Sequence, residues 1–187
     1  VLSGSSIVTQ PEEVRRKIGF LTSELKLEDF FTPDYLYDFF SELYGIPTDR
    51  RDARKRMLFA RFGIQEFAQV RVRNLSTGMK QKVSLVISLV QDPEIIIFDE
   101  PTNGLDILTA KVVTDFLLDL KEQGKTIIIS THIFSLVEKI CDRVGIIING
   151  RMAACEDLRT LCGDKSLEDR FFEIYEAVNG EDENHDK

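Results

Sequence analysis

The sequence predicts an α/β fold in which a parallel sheet carries a helical insertion. Three observations carry that prediction. The run Ile95-Ile96-Ile97-Phe98 is continuously apolar and stops at the acid pair Asp99-Glu100. A second β-branched run, Thr126-Ile127-Ile128-Ile129, stops at the polar group Ser130-Thr131-His132. Helical spacing fills the chain between and before these runs, including a long stretch from Phe30 to about Phe67. Short apolar runs without alternation suit strands buried on both faces, and the alternation β-α-β-α-β implies a parallel sheet with right-handed crossovers.

Taken in order, Val1 to Val8 reads as the end of a strand or a hairpin. Gln10-Pro11-Glu12-Glu13-Val14-Arg15 opens a short helix with acids in its first turn, and Lys17 to Leu21 reads as a strand. Thr32-Pro33 supplies a cap and a first-turn proline, with Leu36, Phe39, Phe40 and Leu43 following at helical spacing. Gly45 and Pro47 end that helix. Asp49 opens the next, which is basic through Arg50, Arg51, Arg54, Lys55 and Arg56 and has Met57, Leu58 and Phe62 on its buried side. The basic run is either a solvated face or a docking surface for an acidic partner. Ser76 caps a helix whose apolar residues are Val83, Val86, Ile87 and Val90. After Asp92-Pro93 comes the central strand. Ile107 to Gln123 is an amphipathic helix, Ile133 to Cys141 a short one, and Asn149-Gly150 turns a hairpin. Short helices near Glu156 to Leu161 and Leu167 to Val178 precede an acidic tail from Gly180, read as disordered.

Composition narrows the function. The 187 residues suffice for one domain with a sizeable core, and a net charge of −8 disfavours nucleic acid as a partner. Cys141, Cys155 and Cys162 have no metal-like spacing, so they read as reduced thiols. No run approaches the roughly 20 apolar residues that a membrane helix needs.

The chemistry concentrates at strand ends. Open α/β sheets bind ligands at the carboxyl ends of their strands, where Asp99 and Glu100 lie. One carboxylate can hold Mg²⁺, and its neighbour can accept a proton from an attacking water. Two acids ending an apolar strand are costly without a cation or hydrogen bonds. His132 ends the strand expected beside them. A helix N-terminus with the small hydroxyl of Ser76 and the bare backbone of Gly78 suits an anion, although Ser-Thr-Gly alone is weak evidence beyond a cap.

Four segments, in this order, resemble the motifs of ABC-type ATPases. Leu75-Ser76-Thr77-Gly78-Met79-Lys80-Gln81 is similar to the signature, Ile95 to Glu100 to the Walker B strand, Pro101 to Asp106 to the D-loop and Ser130-Thr131-His132 to the switch histidine. The resemblance covers nearly all of residues 1–160 and implies a P-loop NTPase-like fold. Around Ile18 to Leu21 and the helical segment it is nearest to ATP-binding subunits of bacterial exporters, including the sodium-efflux type. It implies ATP and Mg²⁺ as cofactors. Asp99 would hold the ion through water, Glu100 would act as general base, and His132 would contact the γ-phosphate and the attacking water. Ser76, Thr77 and Gly78 would bind the γ-phosphate of ATP held by a second ATP-binding subunit in a head-to-tail dimer, and Asp106 would lie at that interface.

The resemblance has two departures. The phosphate-cradling loop G-x-x-x-x-G-K-[ST] is absent from the 187 residues. The chain is therefore read as the C-terminal portion of an ATPase domain, inactive alone. Where the family places a Mg²⁺-sensing Gln, this chain has Ser23, flanked by Thr22 and Glu24. The implied segments are 1–29, part of the ATPase core with the sensor loop; 30–91, a helical subdomain ending in the signature helix; 92–155, the core with Walker B, D-loop and switch histidine; 156–179, C-terminal helices; and 180–187, the tail. The implied partner is a transmembrane permease subunit, with the ATPase peripheral on the inner face of the cell membrane. The aromatics Phe30, Phe31, Tyr35 and Tyr37 either receive a helix of that partner or form the core of the insertion. Alternatives are a non-transport ABC protein of the translation-factor or DNA-repair type, and a silent half-domain.

Overall fold

The computed structural model describes residue 2, residues 4–22 and residues 27–185, with side chains described as far as residue 180. The chain forms two compact units, Val1–Ser130 and Thr131–Lys187.

The first unit is built on three parallel strands in the order β1-β2-β3: β1 (Ile18–Leu21), β2 (Ile95–Asp99) and β3 (Thr126–Ser130). Gly19 pairs with Ile96 and Ile96 with Ile127, so the acid-bearing strand is central. Ile96 and Phe98 are fully enclosed, as a run flanked on both sides requires. The expectation that β3 is buried does not hold. Its exposure alternates, and Ile128 is 53% exposed, because β3 is an edge strand here with one face uncovered. Near the amino end, the expected strand or hairpin is reduced to a single bridge between Leu2 and Ser5, followed by α1 (Pro11–Lys17).

The insertion consists of α2 (Pro33–Leu43), α3 (Thr48–Phe62) and α4 (Thr77–Ser88), with short 3-10 turns at Ile64–Phe67 and Val72–Asn74. Thr32 caps α2 by accepting from the Tyr35 amide, and Ser76 caps α4 by accepting from the Met79 amide. Leu58, Phe59 and Phe62 face the core of the unit, but Met57 is 47% exposed, a correction to the expected buried side. At 3.6 residues per turn, Leu58, Phe59 and Phe62 share one face and Met57 falls outside it.

Four basic residues of α3 are partnered within the unit. Arg51 and Lys55 pair with Asp38 of α2, Lys55 also with Asp34, Arg54 with Asp92 and Arg61 with Asp119. Arg50 and Arg56 are exposed, as a solvated face would be, but the rest of the run has partners. It fastens α3 to α2 and to the ends of α4 and α5 (Ile107–Glu122).

The second unit contains α6 (Phe134–Ile140), the antiparallel hairpin β4 (Arg143–Ile148) and β5 (Arg151–Asp157), α7 (Leu158–Cys162) and α8 (Leu167–His185). Val137, Ile146, Ile148, Leu161 and Leu167 form its core. Asn149 and Gly150 both have positive φ, as a two-residue hairpin turn demands. Where a disordered tail was expected from Gly180, α8 remains helical to His185. Gly180 lowers helix propensity without ending the helix.

Candidate functional site

The site grows from the end of β2. Asp99 is the last residue of the strand and lies in register with Ser130, the last of β3. The Ser130 hydroxyl donates to the Asp99 carboxylate at 2.5 Å. This bond satisfies part of an acid that would otherwise end an apolar strand unpartnered. Glu100 then leaves the strand. Its φ is +48°, the left-handed region that a non-glycine residue enters only under constraint. Its amide still donates to the Ser130 carbonyl at 2.9 Å, so the β2–β3 ladder runs one residue beyond β2 while the chain turns. Strain of this kind at a strand end motivates a functional role.

A tight turn follows. The Asn103 amide donates to the Glu100 carbonyl and the Leu105 amide to that of Thr102, with Gly104 at φ +72° between them. Asp106 caps α5, accepting from the Leu108 and Thr109 amides at 3.0 Å each and from the Thr109 hydroxyl at 2.6 Å. The Thr109 hydroxyl, followed by the two amides, holds the Asp106 carboxyl below the usual carboxylate range.

The helix starting at Thr77 meets the same turn. A Cβ placed on Gly104 would lie 3.9 Å from the Thr77 side chain, and one on Gly78 would lie 3.9 Å from the Gly104 carbonyl oxygen. Nothing crowds Gly78 more closely, so its backbone stays accessible to a ligand. The fold thus brings Ser76, Thr77 and Gly78 beside the turn that precedes Asp106, which no local pattern specified.

Ser23 lies outside the described residues. Thr131 and His132 fall in the second unit, two and one residues ahead of Ile133, whose amide donates to the Thr131 hydroxyl at 3.2 Å. His132 is exposed and follows Ser130 by two positions. Among the described residues no group of three or more His, Cys, Asp or Glu gathers to hold a metal. Asp99 with Ser130 suits an ion such as Mg²⁺, which takes one or two carboxylates and completes its shell with water and phosphate oxygens. Sequence reasoning missed Ser130 as the partner of Asp99, because only strand register reveals it. It also missed Thr109, for which the spacing D-x-x-T at a helix start is a usable signal.

Away from this end, the insertion presents an aromatic strip. Phe31 stacks on Tyr35 at 4.6 Å between ring centroids, and Tyr35 on Phe39 at 6.3 Å. With Phe20, Phe40 and Ile97 they line a groove of about 710 Å³. Phe30, Phe31 and Tyr35 are open to solvent, whereas Tyr37 is fully buried, so the four aromatics divide between surface and core.

An α/β sheet with an acid pair at the end of its central strand and a capped helix beside the following turn has the layout of the α/β class that binds ligands at strand ends. The comparisons narrow that class. The ABC transporter family profile matches residues 2–103. The chain is 38% identical over 169 residues to the ABC transporter ATP-binding protein NatA of Bacillus subtilis, covering 90% of this chain and 69% of that protein. It is 36% identical over 118 residues to a fluoroquinolones export ATP-binding protein of Mycobacterium tuberculosis, covering 63% of this chain and 38% of that one. A solved structure of the ATP binding subunit of an ABC transporter superposes with a TM-score of 0.86 at 27% identity, covering 92% of this chain and 74% of that chain. The chain belongs to the ABC transporter ATP-binding family and has its P-loop NTPase-like α/β fold. It spans 69%, 57% and 48% of the lengths of three curated relatives.

Proposed function

We propose that the chain is the catalytic-carboxylate and signature portion of an ATP-hydrolysing subunit of a bacterial ABC exporter. The observation that carries this reading is the end of β2, where Asp99 is held by Ser130 and Glu100 is turned out of the strand by a left-handed backbone. In this reading Asp99 would hold Mg²⁺, which would neutralise phosphate charge. Glu100 accepts the proton of the water that attacks the γ-phosphorus, as the bond to the bridging β-γ oxygen breaks. His132 orients that water and the γ-phosphate. Ser76, Thr77 and Gly78 offer amides and a hydroxyl to the γ-phosphate of ATP held by a second subunit, and Asp106 stands at the interface between the two. Ser23 occupies the sensor position. The phosphate loop that this chemistry needs is not among the 187 residues, so the chain alone is expected to be inactive.

The permease partner is supported by the exposed strip Phe31, Tyr35 and Phe39, which offers a short helix an apolar groove. Export is supported by the relative named for fluoroquinolones export. No described helix is long and apolar enough to cross a membrane. The permease partner would hold the subunit at the inner face of the cell membrane. The test is Glu100→Gln in a protein that joins these residues to their phosphate loop. ATP binding should persist while turnover falls by about 10²-fold or more. Undiminished turnover would remove Glu100 from the role of base.

A further inference from the structure

The turn between α4 and β2 joins the helix that begins at Ser76–Gly78 to the strand that ends at Asp99. Three other elements grip it. Asp92, in the turn, has a left-handed φ of +55°. Its carboxylate meets Arg54 of α3 at 3.1 Å and Lys125, the residue before β3, at 2.9 Å. Lys125 also donates to the Asp92 carbonyl at 3.2 Å, and Arg54 to the Leu89 carbonyl at 3.2 Å. Gln91 donates to the Ile18 carbonyl of β1 at 2.7 Å. Both cations are largely enclosed, with side chains 21% and 17% exposed. The shared Asp92 carboxylate is 44% exposed, so added salt screens these contacts, and each cation bonds a backbone carbonyl as well as the carboxylate.

We propose that Arg54, Asp92 and Lys125 form a clasp that locks the elbow between the signature helix and the acid-bearing strand. While it is closed, the insertion and the sheet keep one orientation. Its loss loosens the turn and α3 without disturbing the strand pairing. These are positioning residues, since none touches a reacting group. The inference stands on the elbow's geometry and not on the proposed hydrolysis.

Hydrogen exchange on the 187-residue chain tests it, with no nucleotide present. In Arg54→Met, exchange over α3 and residues 84–94 should rise about tenfold, with peptides of β1, β2 and β3 changed less than about twofold. Arg54→Lys, which keeps the charge, should recover part of the protection. Raising salt on the unaltered chain from about 0.05 M to about 1 M should loosen the same segments first. That arm decides the matter if Arg54→Met does not fold. Exchange that rises equally in every peptide, or not at all, would overturn the clasp. A silent Glu100→Gln result with a positive exchange result would remove the hydrolytic reading and leave the clasp intact.

Discussion

Asp106 shows how a single residue acquires its chemistry from its neighbours. Three hydrogen bonds from Thr109 and Leu108 favour its charged form and depress its carboxyl. A depressed folded value means that the cap's stabilisation is fully present above the unfolded carboxylate range, near about 4, and is lost as pH falls through the folded value. Thr109→Val removes the largest contribution, so the Asp106 midpoint, followed by carboxyl-carbon NMR, should move up toward that range. Tyr37 is the opposite case. Its side chain is fully buried, its hydroxyl finds no hydrogen-bond partner among the described residues, and burial pushes its phenol up to about 12. Deleting an unsatisfied buried hydroxyl removes a desolvation cost. Tyr37→Phe should therefore leave urea stability unchanged or raise it by up to about 1 kcal/mol. Tyr37→Ala should cost about 3–5 kcal/mol by opening a cavity against Phe59.

At the scale of elements, two junctions position the site. Gly19 lets β1 lie directly against the elbow. A Cβ there would stand 2.6 Å from the Ser88 carbonyl oxygen and 2.7 Å from Pro93, and the backbone oxygen cannot yield as a flexible side chain would. Gly19→Ala should destabilise the first unit by about 1–3 kcal/mol, read as a lower urea midpoint at constant slope. The start of α4 depends on Ser76, whose hydroxyl satisfies the Met79 amide. Ser76→Ala should cost about 1 kcal/mol of the same stability, whereas Ser76→Asp should retain the cap. Caps of this kind were legible in the sequence, because Thr32-Pro33 and Ser76-Thr77-Gly78 are local signals and cap geometry is local. The ion pairs of α3 were not, since Asp34, Asp38, Asp92 and Asp119 reach it only through packing.

Across the whole molecule, the sheet of the first unit has one poorly covered face. Phe20, Ile97 and Ile128 lie in register across β1, β2 and β3, and the outer two are 55% and 53% exposed. Such a row, on a sheet whose outer strands β1 and β3 are its edges among the described residues, invites association. Sedimentation of the 187-residue chain should show concentration-dependent self-association, and Ile128→Lys should reduce it. A strictly monomeric chain at high concentration would refute the point. The sequence by itself determined the α/β class, the apolar run into Asp99-Glu100, the Ser76 cap and the Asn149-Gly150 hairpin. Each rests on periodicity or turn chemistry that acts within a few residues. Only the tertiary structure decided that Ser130 holds Asp99, that the Thr77–Gly78 turn abuts Gly104, and that β3 is an edge strand instead of a buried one. Those facts depend on strand order and register, which are set by contacts between residues far apart in the chain and leave no local mark.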